Sequence, residues 1–102
     1  MTNMRKRLER QEVIRRVVRR ERIRTQRDLV YRLKARYARS ADTYVAGHMF
    51  VYYEEGDPAS VFAPDAMVVF GVPKTPRLVF KLWEERRPPA VVRLPRAGGP
   101  GP

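Results

Sequence analysis

The run Val61-Phe62-Ala63-Pro64-Asp65-Ala66-Met67-Val68-Val69-Phe70 constrains this chain more than any other stretch. It is short, and it is β-branched and aromatic at both ends. A run of this kind, bounded by turn residues, reads as a buried strand. Gly56-Asp57-Pro58 precedes it and Gly71-Val72-Pro73 follows it, so both ends are punctuated. Pro64 is tolerable because the first residue of a strand need not donate to the ladder. Asp65 is the residue out of place. A carboxylate entering a buried strand is costly unless it is paired or holds a metal. Two readings follow. Asp65 is a metal-binding acid at the mouth of a site, or it is a solvated residue at a strand start, where Asp often sits.

The segment before it, from Thr43 to Tyr53, has the aromatic and β-branched density of another strand. Gly47 marks a bulge or a close backbone approach. Glu54-Glu55-Gly56-Asp57-Pro58 is a turn, and it predicts an antiparallel hairpin with a loop longer than the tightest type. Glu54 and Glu55 read as solvated loop charges. His48 is the one histidine of the chain, with no second His, Cys or Ser motif nearby, and it reads as structural.

Upstream, Thr25 is placed to cap a helix over about residues 26–39, with Asp28 in its first turn. Leu29, Val30, Leu33 and Tyr37 share one face at helical spacing and form a core stripe. Asp28 and Arg32 have i,i+4 spacing. Residues 4–24 are helical by propensity, with Glu12 and Arg16 in the favourable i,i+4 order. Their apolar residues do not settle on one narrow face, which predicts a poorly packed helix.

Charge separates these regions. The chain has 102 residues, sized for one small domain, and a formal net charge of +11. Residues 5–27 hold 11 basic and three acidic side chains, whereas residues 41–73 hold five acids and neither Lys nor Arg. A basic arm thus adjoins an acidic centre. Arg15, Arg16, Arg19 and Arg20 are the candidate contacts to nucleic-acid phosphates. Such a helix can equally be a solvated extension. The absence of cysteine excludes disulfides and thiolate metal sites. No apolar run reaches the length of a membrane span, and no secretion signal is recognisable, so a cytoplasmic protein is expected.

After the second turn, 71–76, residues 77–83 read as extended and Ala90-Val91-Val92 as the start of a third core strand. Pro and Gly dominate residues 93–102, which are expected to be disordered.

Three stretches together resemble a known family. They are Tyr44-Val45-Ala46-Gly47-His48-Met49-Phe50-Val51-Tyr52-Tyr53 with the Glu54–Pro58 turn, Ala63-Pro64-Asp65-Ala66-Met67-Val68-Val69-Phe70-Gly71-Val72-Pro73, and Lys81-Leu82-Trp83-Glu84-Glu85 followed by Pro88-Pro89-Ala90-Val91-Val92. In this order and spacing, over about residues 26–92, the chain resembles the Uma-type restriction endonucleases of the PD-(D/E)XK nuclease superfamily. The resemblance implies an α/β core with a helix before the sheet, and Mg²⁺-dependent hydrolysis of a DNA phosphodiester. It matches Asp65 to the first active-site acid, a catalytic metal ligand. In such a site a carboxylate cluster holds Mg²⁺, which activates water and polarises the phosphate. The same comparison sets Leu94 at the second acid. It sets Arg22 and Gln26 near positions where the family often carries Glu and His on its first helix. The downstream Lys has no counterpart.

The expectation is therefore an α/β (α+β) chain with a partial restriction-endonuclease-like core. Its parts are a basic helical arm (1–25), the partial nuclease-like domain with a mixed, mostly antiparallel sheet (26–92) and a Pro/Gly tail (93–102). The family pattern breaks off after Val92, which predicts a truncated or frame-shifted member with little nuclease activity. The alternative is a non-enzymatic nucleic-acid-binding protein using its Arg-rich arm. DNA is the expected partner and the membrane is not. An incomplete sheet would leave an open edge for self-association, and Phe50, Phe62, Met67, Phe70, Phe80 and Trp83 partly exposed.

Overall fold

The computed structural model describes residues 3–94. The expected hairpin is present, but it is interrupted halfway. Its outgoing arm is β1 (Thr43–Gly47) and β2 (Phe50–Tyr52), and its return arm is β3 (Val61–Phe62) and β4 (Ala66–Phe70). β1 pairs antiparallel with β4 from Thr43↔Phe70 to Gly47↔Ala66, and β2 pairs antiparallel with β3 at Val51↔Phe62 and Tyr52↔Val61. The register is the same on both sides of the gap. Carried across it, the pairing sets His48 opposite Asp65 and Met49 opposite Pro64.

The break has a local cause on each arm. Pro64 has no N–H to give to a ladder. His48 lies at φ 50, in the left-handed region, which no regular strand uses. The single strand expected over Val61–Phe70 is therefore two strands, and the single sheet expected for the chain is two. One sheet has the order β1-β4-β6, with β6 (Ala90–Val92) antiparallel to β4. The other has the order β3-β2-β5, with β5 (Val79–Lys81) parallel to β2. The extended reading of 77–83 holds only for β5. Leu82–Glu85 form a short helix, α3, closed by Arg86 at φ 59.

Side chains of the first sheet alternate between two cores, as the two-residue period of a strand requires. Val45, Ala66, Val68 and Val92 face the helices. Tyr44, Ala46, Met67 and Val69 face Val51 and Phe80 of the second sheet. A sheet covered on both faces needs continuous apolar strands, which explains the unbroken Ala66–Phe70 run. Met67 and Phe80 are completely buried, against the expectation of partial exposure, while Phe50 is 54% exposed.

The helical layer is α1 (Asn3–Arg20) and α2 (Gln26–Arg36). Thr25 caps α2 as expected, accepting from the Asp28 N–H, and Leu29 and Leu33 are fully buried. Arg32 bonds Glu21 at 2.8 Å and Asp28 at 2.9 Å, tying the end of α1 to α2. The Glu21 hydrogen bond, reinforced by Asp28, raises the Arg32 pKa above its ordinary value.

α1 differs from expectation. Ile14 is fully buried, Val17 and Val18 pack against the same core, and Ile23 follows them after the helix ends. Gln11 Nε2 also donates to the Val91 carbonyl at 2.7 Å, on the side of β6 away from β4. A narrow stripe of one buried isoleucine, two valines and one amide suffices to dock this helix. Glu12 meets Arg19 at 3.8 Å rather than Arg16. Of the expected Pro/Gly tail, 95–102 lie outside the described residues.

Candidate functional site

Asp65 occupies the gap between β3 and β4, directly after the buried Pro64. It is half-buried, and its Oδ2 accepts the backbone N–H of Leu94 at 2.6 Å. That contact follows from topology. β6 pairs with β4 at Ala66↔Val92, so the residues just beyond Val92 pass the start of β4. The Asp65 carbonyl accepts from Gln26 Nε2 at 3.1 Å. Gln26 is the first residue of α2, and it reaches the hairpin because Gly47 has no side chain. A Cβ at Gly47 would collide with Gln26 Nε2 and Val30 Cγ2. Gly47 is thus the close backbone approach that its position in the strand suggested. His48, its neighbour, is exposed.

Three positions singled out by the sequence meet here: Gln26, Asp65 and Leu94. Their chemistry is unequal. Asp65 is anionic and already holds a backbone donor. Gln26 donates through its amide. Leu94 turns its side chain into the helix-side core. Arg22, the other helix position, is exposed at φ 51 in the α1–α2 connection. Among the described residues, no three His, Cys, Asp or Glu side chains come together as a metal-binding group. Nor does any buried side-chain polar atom among them lack a partner. Mg²⁺ prefers octahedral oxygen coordination, commonly with one or two carboxylates and substrate phosphates. Asp65 supplies the one carboxylate of this cluster, at the lower end of that range, and its Oδ2 already accepts the Leu94 N–H.

The four candidate arginines are all exposed on α1. Arg15 and Arg19, one helical turn apart, line a shallow depression with Val91, Val92 and Arg93. Arg16 and Arg20 are not part of it. Arg93 is the cation that the sequence did not suggest. It lies 74 positions from Arg19 in the chain, and only the docking of α1 beside β6 brings them together. It directly precedes Leu94, so this basic cluster flanks the Asp65 end of β4. No helix among the described residues is long and apolar enough to cross a membrane. Comparison with protein-family models, with curated proteins and with solved structures finds no match for this chain.

Proposed function

We propose that this chain is a catalytically silent relative of the Uma-type restriction endonucleases that binds nucleic acid through its basic helix. The observation that carries the reading is the composition of the Gln26–Asp65–Leu94 cluster. The positions that the resemblance assigns to a metal site adjoin one another, yet one carboxylate stands among them, holding a backbone N–H at 2.6 Å. Without companion acids, the metal-assisted attack of water on a phosphodiester is left with a single protein carboxylate to hold the ion. What remains is electrostatic. The exposed Arg15 and Arg19 share a depression with Arg93, the residue before Leu94, and a chain of net charge +11 attracts a polyanion.

The test is a pair of assays on the full chain. DNA binding is expected at low salt, with log affinity falling linearly against log salt. Replacing Arg15, Arg16, Arg19 and Arg20 by Ser is expected to flatten that slope by about 0.9 for each duplex phosphate that is no longer neutralised. Incubation with Mg²⁺ and plasmid is expected to leave the DNA intact. Cleavage that requires Mg²⁺ and vanishes in Asp65→Ala would return the enzyme reading, and an absence of DNA binding at low salt would end the present one.

A further inference from the structure

The N-terminal half of α1 and the loop between α3 and β6 face one another across a groove. Lys6, Arg7 and Arg10 stand on one wall, and Arg86 and Arg87 on the other. The end of β4, at Phe70 and Gly71, and the turn before β1 complete it. This turn supplies the one carboxylate of the lining, Asp42, which accepts from the Ser40 hydroxyl at 3.2 Å. None of the five cations takes part in an ion pair among the described residues. Five cations around one carboxylate repel one another, and a bound anion relieves that repulsion.

Two of the cations, Arg10 and Arg87, also pack against the groove wall. The Arg10 guanidinium lies 4.3 Å from the centroid of the Phe70 ring. Arg87 packs over Gly71, where an added Cβ would lie 3.3 Å from Arg87 Nε. Arg86 closes α3 at φ 59, a position at which glycine commonly ends a helix. An arginine there carries a backbone cost, and outliers of this kind gather at functional sites.

The groove continues into an apolar notch. Arg7, Arg10, Phe70 and Pro88 belong to both, and Leu8 and Pro89 extend the lining beyond the cations. Leu8 is 63% exposed. A cationic channel opening onto apolar surface matches a nucleotide whose phosphate and unstacked base are both accessible. Single strands offer that pair of groups, whereas a duplex keeps its bases stacked. We infer that this groove binds single-stranded nucleic acid, with phosphates among the five cations and a base in the notch. The inference rests on the nucleic-acid reading above but places the strand elsewhere. The groove lies at the Phe70 end of β4, about 17 Å along the strand from Asp65.

The experiment is fluorescence anisotropy on the full chain with a labelled oligothymidine of about twelve nucleotides, within the usual span of such sites. A duplex of equal length and inorganic phosphate serve as competitors. Tighter binding of the single strand is expected. Arg86→Gly with Arg87→Ser, compatible with the left-handed backbone, is expected to weaken it about tenfold and to flatten the salt slope by about 1.4. Leu8→Ser is expected to erase the preference for single strands without altering that slope. Thermal melts of both variants establish that they fold. Unchanged affinity in the folded Arg86→Gly/Arg87→Ser protein, alongside loss of binding in the Arg15/Arg16/Arg19/Arg20 variant, would overturn the groove alone. Equal affinity for duplex and single strand, or equal competition by phosphate, would overturn it as well. A wild-type chain that binds neither nucleic acid would end both readings.

Discussion

The two ends of β4 hold their charged side chains in opposite ways. Before Ala66, the carboxylate of Asp65 is half-buried and takes the Leu94 N–H at 2.6 Å. Beyond Phe70, five cations line an open groove with no ion-pair partner among the described residues. A partly buried charge needs compensation within the fold, so its partner is built in. An exposed charge is hydrated and needs no partner from the fold, so it stays available to a ligand. The first end reads as architecture. The second reads as a surface for an anion.

The largest test of the first end acts through backbone proximity. Gly47→Val puts a branched side chain where Gln26 and Val30 already lie. It is expected to cost about 3 kcal/mol, the upper part of the overpacking range, measured by urea denaturation. A change within experimental error would mean that α2 does not need to approach β1 so closely.

Next in size is Asp65 itself. Asp65→Ala leaves the Leu94 N–H without its acceptor and is expected to cost about 2 kcal/mol. Asp65→Asn keeps an acceptor oxygen and is expected to recover most of that loss. Neither change is expected to alter single-strand affinity. If Asp65 held a metal, Mg²⁺ would raise the melting temperature of the wild type, and Asn would fail to replace Asp. That result would remove the contrast between the two ends. At the other end, Arg10→Ala gives up the interaction with Phe70 and is expected to cost about 1 kcal/mol of stability. Its oligothymidine affinity is expected to fall as well, so one residue reports on both properties.

How much of this is legible in the sequence depends on range. The Thr25 cap, the Leu29 and Leu33 stripe, the Asp28–Arg32 pair and the antiparallel hairpin rest on residues close in the chain, and all are present. The split of the hairpin is not foreseeable, although Pro64 stands in plain view. The other arm breaks at His48, whose left-handed backbone the strand-like composition around it does not signal. The first half of α3, Leu82 and Trp83, reads as extended in the sequence because four residues carry too little periodicity to distinguish a turn of helix from a strand. The docking of α1 escapes a local reading because it depends on a few side chains, Ile14 and Gln11 above all, meeting strand β6 near the other end of the chain. The same distance hides both basic clusters. Composition alone singles out Arg15 and Arg19, but nothing local joins them to Arg93, or Lys6, Arg7 and Arg10 to Arg86 and Arg87.

The smallest expected effect is the most discriminating, because its two readouts move apart. At φ 59, Arg86 bears the steric penalty of a Cβ facing the carbonyl, roughly 1 kcal/mol, which Gly avoids. Glycine loses more chain entropy on folding, which offsets roughly half of that gain. Arg86→Gly is therefore expected to stabilise the fold by about 0.5 kcal/mol in urea titrations. The same change removes one cation from the groove, so single-strand affinity should fall while stability rises. A structural arginine would behave otherwise, since its loss would lower stability and leave binding untouched. Opposite signs from one substitution would show that the side chain at this position serves the ligand rather than the fold, as the contrast between the two ends of β4 requires.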